Sequence, residues 1–347
     1  MQYRTLGRTG IQVSPFALGA MMLGTDGRIG NGDEQDSIRI VHRALDAGIN
    51  LIDTADRYSQ GGSEELVGKA LKGRRDHVVL ATKFHGPMGD DPNQQGNSRR
   101  WIMQAVEGSL RRLQTDHIDL YQAHRPDDTV DVEETLSALT DLVRSGKVRA
   151  IGSSDFPASM QVEAQWTSER RGLERFRTEQ PTYSILNRGI EREVLPTAER
   201  YGMGTLVWSP LAGGMLTGRF RKGQDSDLAR VRMFQHNSDE RRIDAVEQVV
   251  ALSEDTGIPM THLAMAFAIA HPGVTSALIG PRSMEQLDDL LAGSEVALSD
   301  EVLDRIDAIV PPGTDVGRLD QQYNPPAVLR PELRRRPAAQ RPATATA

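Results

Sequence analysis

Residues 118–153 read IDLYQAHRPDDTVDVEETLSALTDLVRSGKVRAIGS. Two short apolar runs, 118–124 and 148–153, flank a stretch in which Val132, Leu136, Leu139, Leu142 and Val143 recur at spacings of three and four. Runs of that length suit strands, and that spacing places the five side chains on one face of a helix. Asp131 stands just ahead of the stripe with Glu134 three residues on, which predicts a capping box at the helix start. A strand, a helix and a second strand in this order form a crossover, and a crossover makes its two strands parallel.

Working outward, the same unit repeats. Strand-like runs occur at 17–23, 50–54 and 78–83 on one side, and at 176–180, 205–208 and 275–279 on the other. Helical stripes lie between them: Trp101, Ile102, Ala105, Val106, Leu110 and Leu113 form one, and Val246, Val249, Val250 and Leu252 another. Leu195, Ala198 and Tyr201 belong to a third. Eight strands alternating with helices predict an α/β protein closed as a (β/α)8 TIM barrel, a fold that fills about 250 residues or more as one domain. Runs 3–6 and 11–14, joined across Gly7–Gly10, predict an N-terminal hairpin. The expected organisation is a barrel over 1–312, a C-terminal extension over 313–330 and an Arg/Pro/Ala-rich tail over 331–347. That tail, PELRRRPAAQRPATATA, has the composition of a disordered segment. Two segments break the rhythm: 85–98 and 213–237 are long and polar, and both follow strands.

Composition narrows the function. The 347 residues carry 41 Lys and Arg against 48 Asp and Glu, a net charge of −7 that argues against a nucleic-acid partner. There is no cysteine, so neither a disulfide framework nor a thiolate site is available. No run of about 18 apolar residues predicts a membrane span, and the opening MQYRTLGRTG lacks the apolar core of a secretory signal. The expected location is the cytoplasm. The eight histidines are scattered and no H-E-x-x-H occurs, so no metal site is expected. No G-x-G-x-x-G occurs either, and the Gly62–Lys69 segment has the wrong spacing for a phosphate loop.

In a parallel barrel, chemistry gathers at the C-terminal ends of the strands. Asp53, Lys83 and His124 end three consecutive strands, and Tyr58 follows Asp53 by five residues. Singly, each has an ordinary reading as cap, surface charge, packing or satisfied histidine. Together they form an acid arrangement, because an ammonium beside a phenol stabilises the phenolate left when the proton departs. Asp53 is expected to pair with Lys83 and keep it charged. That pairing opposes the alternative of Lys83 as a Schiff-base amine, which must be neutral.

Six segments, taken in order, resemble the aldo-keto reductase superfamily: GINLIDTADRYSQGGSEELVGKAL (48–71), DHIDLYQAHRPD (116–127), GKVRAIGSSDF (146–156), EQPTYSILNR (179–188), WSPLAGGMLTGR (208–219) and LIGPRSMEQL (278–287). The similarity covers roughly residues 3–310. It is strongest to the broad bacterial branch, which also resembles potassium-channel β subunits. The resemblance implies an NADP(H)-dependent reduction of a small carbonyl compound, or the reverse oxidation of an alcohol, with Tyr58 as general acid and Asp53, Lys83 and His124 completing its tetrad. It further implies that Ser154, Asp155 and Gln180 hold the nicotinamide carboxamide and that Trp208 stacks on the ring. Ser209, Leu211 and Gly213 would follow the pyrophosphate. Gly280, Arg282, Gln286 and Asp289 would surround the adenosine end, with Arg282 on the 2′-phosphate. An alternative within the resemblance is an NADP(H)-binding regulatory subunit with slow turnover.

Two positions depart from the pattern. Asp155 replaces the usual Asn, and a carboxylate only accepts hydrogen bonds where an amide also donates. Leu290 stands where an Asn often reaches the adenine. Met22, Phe84, His85, Phe156 and Phe220 are further candidates for the pocket mouth.

Overall fold

The computed structural model of the chain describes residues 2–23, 32–223, 235–317, 323–330 and 333. The expected tail therefore lies outside the described residues except at position 333, as does part of the 213–237 loop. Strands β1 (Arg4–Thr5) and β2 (Gln12–Val13) pair antiparallel as the predicted hairpin. Eight parallel strands follow: β3 (Phe16–Gly19), β4 (Leu51–Asp53), β5 (Val79–Phe84), β6 (Ile118–Ala123), β7 (Val148–Ser154), β8 (Thr178–Gln180), β9 (Gly204–Val207) and β10 (Ser276–Ile279). Each pairs with the next and β10 returns to β3, so the barrel closes.

The helices wrap the outside: α1 (Glu34–Asp46), α2 (Gly62–Ala70), α3 (Arg99–Leu113), α4 (Val132–Arg144), α5 (Ala158–Arg171), α6 (Val194–Tyr201), α7 (Glu240–Thr256), α8 (Met260–Ala270), α9 (Met284–Ala292) and α10 (Asp300–Ile309). Among the described residues no helix is long and apolar enough to cross a membrane. Local chemistry sets several starts. The Ser98 side chain accepts from the Trp101 amide, and Ser283 does the same for Gln286.

Two local expectations need correcting. The first barrel strand stops at Gly19 rather than residue 23, because Ala20–Leu23 turns into a 3-10 helix once Gly19 has met Asp53. The capping box at Asp131 is not made: its side chain caps nothing, and its backbone carbonyl takes the Glu134 amide at 3.0 Å. Glu134 is exposed. One helix went unread. The sequence of α8, MTHLAMAFAIA, is apolar almost all round, so it has no stripe to detect.

Strand alternation divides the barrel interior into layers. Ala17, Leu51, Ala81, Leu120, Ala150 and Leu206 form an apolar lower layer, closed from below by Leu6 and Val13 of the hairpin. Two residues further along the strands, the same inward face carries Gly19, Asp53, Lys83, Gln122, Gly152, Gln180 and Trp208. The odd-and-even partners on the other face, such as Leu18, Ile52, Leu80 and Ile151, pack under the helices. Gly152 is required in the polar layer, since a Cβ there would lie 2.1 Å from Thr178 Oγ1.

The hairpin is seated as closely as the layer above it. Gly7 has φ +55°, and a Cβ on it would lie 2.5 Å from the Gly204 amide and 2.7 Å from the Gly202 carbonyl. Gly10, at φ +78°, has open space around it. Gly7→Ala is therefore expected to cost at least about 2 kcal/mol from overpacking and backbone strain together, against about 1 kcal/mol for Gly10→Ala from backbone strain alone. Urea unfolding of the two variants measures the difference, and equal costs would mean that the hairpin does not seal the barrel floor.

Candidate active site

The polar layer converges on one buried carboxylate. Asp53 ends β4 at 1% exposure, and its Oδ1 pairs with Lys83 Nζ from β5. Its Oδ2 accepts from Gln180 Nε2 of β8 at 2.9 Å and from Gln122 Nε2 of β6 at 3.2 Å. Lys83 is fully buried and also donates to the Thr54 carbonyl at 2.8 Å. Burial works to depress the ammonium, but the charge of Asp53, joined by the pull of Tyr58, outweighs it and holds Lys83 above the ordinary lysine range. A neutral Schiff-base amine is disfavoured here.

Tyr58 opens the 3-10 turn Tyr58–Gly61 and is half-buried. Its ring centroid lies 5.2 Å from Lys83 Nζ. On its other side stands His124, just past β6, with ring centroids 5.7 Å apart and planes at 81°. His124 is 8% exposed. Burial first, then the charges of Lys83, Arg125, Arg57 and His85, push its pKa well below the ordinary histidine value. The imidazole is thus uncharged near neutrality. Its Nδ1 is buried without a hydrogen-bond partner among the described residues. Asp53, Lys83 and His124, named from three strand ends, and Tyr58, from the loop after Asp53, come together in space.

The next sector of the mouth is built from β7, β8 and β9. Ser154 donates its hydroxyl to the Gln180 carbonyl at 2.8 Å. Asp155 sits at φ +55°, and its buried carboxylate is held from two sides. Arg125 Nη1 meets Oδ2 at 2.6 Å, and Trp208 Nε1 donates to Oδ1 at 3.2 Å. Burial raises the Asp155 pKa against the opposing pull of Arg125 and Trp208. Trp208 itself is half-buried, and the segment after it turns through positive φ at Ser209, Ala212, Gly213 and Gly214. Ser209 Oγ accepts from the Gly213 amide at 3.0 Å, and Leu211 is half-buried on the same turn.

Beyond β10 the chain passes through Gly280 and Arg282, both exposed, into α9. The Gln286 side chain reaches back to the Arg282 amide at 2.8 Å. The Arg282 guanidinium makes no ion pair among the described residues. Asp289 is tied to His262 Nε2 at 3.0 Å, and Leu290 is buried in the core. The two polar residues expected to reach an adenine thus already have partners within the protein.

Some expected residues are packing instead. Phe84 packs tilted against Tyr121 at 4.9 Å between centroids, and Phe156 edge-on against Phe176 at 5.6 Å, both in the core under the helices. Three residues were missed. Gln122 is one, although it stands two positions before His124 on the same strand and must share its face. Arg125 is another, and no pattern in the sequence announced its pairing with Asp155. The Thr54 carbonyl carries no side-chain signal at all.

Against known proteins, the model of the Aldo/keto reductase family matches residues 15–311. The chain is 41% identical over 323 residues to the uncharacterized oxidoreductase YrpG of Bacillus subtilis, covering 90% of this chain and 96% of that one. It is 38% identical over 297 residues to the aldo-keto reductase YhdN of the same organism, with 84% and 88% covered. It is also 34% identical over 325 residues to a probable voltage-gated potassium channel subunit beta of Oryza sativa subsp. japonica, with 89% and 97% covered. With nearly the whole barrel matched, the chain belongs to the aldo/keto reductase family and is an oxidoreductase.

Proposed function

We propose that the protein is an NADP(H)-dependent reductase that converts aldehydes or ketones to alcohols, with Tyr58 as the general acid. The observation that carries the reading is the buried Lys83 ammonium, locked to Asp53 and set 5.2 Å from the Tyr58 ring. A substrate oxygen placed between Tyr58 and His124 meets a phenol that can give up its proton. The phenolate left behind faces Lys83, whose charge stabilises it. His124, uncharged in its buried setting, has no proton of comparable acidity to give, so its part is to orient the oxygen by a hydrogen bond.

The mouth fits a nicotinamide dinucleotide. Ser154, Asp155 and Gln180 would hold the carboxamide and Trp208 would offer its indole face. Ser209, Leu211 and Gly213 would lie along the pyrophosphate. Gly280, Gln286 and Asp289 would flank the adenosine, and the Arg282 guanidinium, at the start of α9 and without an ion pair among the described residues, suits a 2′-phosphate. When bound, the reduced nicotinamide supplies the hydride that the carbonyl carbon accepts as its oxygen takes the Tyr58 proton.

A second reading rests on the relatives named as potassium channel subunits: a protein that binds NADP(H) and regulates a partner, with slow turnover. Multiple-turnover kinetics with simple aldehydes separate the two.

Tyr58→Phe is expected to lower kcat by about 10²–10⁴-fold while NADPH affinity, followed by fluorescence, stays the same. Near-normal turnover in this variant would remove Tyr58 from the mechanism. Arg282→Ala is expected to weaken NADPH binding by about 10–100-fold and leave NADH binding unaffected, as loss of charge-assisted bonds to one phosphate requires. Equal losses for the two cofactors would place the phosphate elsewhere. Asp155→Asn restores a donor for the carboxamide and frees it from Arg125, so NADPH is expected to bind about fivefold tighter, the worth of one hydrogen bond. An unchanged dissociation constant would show that residue 155 does not address the carboxamide.

A further inference from the structure

Behind the Ser154–Asp155 sector of the mouth lies a buried acid that takes no part in the proton transfer. Glu179 precedes Gln180 on β8, so alternation turns it to the opposite face of the strand, away from the barrel axis. It is fully buried. Ser153 Oγ donates to its Oε2, and the Phe156 amide donates to its Oε1 at 3.0 Å. One carboxyl group thereby holds the two residues that flank Ser154 and Asp155.

The pair it brackets has a conformation that needs holding. Asp155 sits at φ +55°, in the left-handed region that a residue with a Cβ adopts only at a cost. Such a backbone persists where its surroundings over-determine it. Here β8 fastens all four residues of the turn. Beside the two bonds to Glu179, Ser154 Oγ and the Asp155 amide both donate to the Gln180 carbonyl, at 2.8 and 3.3 Å. From α5, Gln161 Nε2 donates to the Phe156 carbonyl at 2.9 Å. The Gln180 carbonyl would be present with any residue at that position. Glu179 is where a side chain does the fastening, and its reach decides where Ser154 and Asp155 stand.

We propose that Glu179 is a positioning residue for the nicotinamide: it fixes the 153–156 turn so that Ser154 and Asp155 can address the carboxamide. This role rests on the reading of those two residues as carboxamide partners. Glu179 itself touches neither cofactor nor substrate. Burial, joined by the charge of Asp155, raises its pKa to about 8, against the bonds from Ser153 and Phe156 and the charge of Arg125. Near neutrality the acid is therefore mostly protonated. One oxygen accepts the Phe156 amide and the hydroxyl is given to Ser153, whose own proton can turn to the Thr178 carbonyl 3.4 Å away. A glutamine offers the same acceptor and a donor in the same place. A leucine fills the space and offers neither.

The test is calorimetric titration of the full chain near neutral pH with NADPH and with 2′,5′-ADP, which carries the adenosine end alone. Glu179→Leu is expected to weaken NADPH by about tenfold, the worth of the lost hydrogen bonds, and to leave 2′,5′-ADP unchanged. Glu179→Gln is expected to keep the wild-type affinity for both. Ser153→Ala removes one arm of the clamp with little change in bulk, and is expected to cost NADPH about threefold. Circular dichroism checks folding, and Ser153→Ala decides the outcome should Glu179→Leu fail to fold. A merely structural role would move both ligands together. Equal losses for NADPH and 2′,5′-ADP, a Glu179→Gln chain as weak as Glu179→Leu, or NADPH affinity unchanged in the folded variants would each overturn the proposal. A wild-type chain that binds NADPH no more tightly than 2′,5′-ADP would instead remove the carboxamide reading, and the role of Glu179 with it.

Discussion

Burying an ammonium and a carboxylate together inside a barrel is costly, because each loses several kcal/mol of hydration. The Lys83–Asp53 pair is tolerated because each partner makes further hydrogen bonds. Gln122, Gln180 and the Thr54 carbonyl supply them, drawn from β4, β5, β6 and β8. Slipping any one of these strands by a residue would turn its member of the network outward and leave the charges uncompensated. The network thus ties the register of half the barrel to the chemistry at its mouth.

That coupling explains the division of labour along the barrel axis. The lower interior is a layer of Ala and Leu plugged by Leu6 and Val13, and it contributes burial alone. The upper interior is polar, and apart from Trp208 it is glycine, amide or charge. Stability and reactivity are separated by only two residues along each strand, as is general in this architecture. The hairpin matters to the site only through this floor: it keeps water from reaching the buried pair from below.

The wall has a second electrostatic face. Residues that point inward at the strand ends, Asp53 and Lys83, are paired and charged. Asp56, three positions after Asp53, lies on the other side of the wall and is held near half-ionisation instead. His124 and Asp155 show the same dependence on surroundings. The imidazole loses its charge to burial and to the nearby charges of Lys83, Arg125 and Arg57, whereas the carboxylate is anchored by Arg125 and the Trp208 indole. Side chains a few ångströms apart therefore behave differently because of what the strand period places around them.

The barrel was legible because its strands and helices repeat with distinct periods, and the cluster at its mouth because Asp53, Lys83 and His124 each follow an apolar run. Periodicity failed where it had nothing to grip: α8 is apolar on all sides, and residues 20–23 look like strand until pairing ends at Gly19. The sequence by itself determined which residues face inward, since alternation along a strand is a local property of the backbone. Only the tertiary structure decided which of them meet. The engagement of Asp155 by Arg125 and the Gln122 and Gln180 donors on Asp53 depend on residues 30 to 127 positions apart, and no local pattern encodes them.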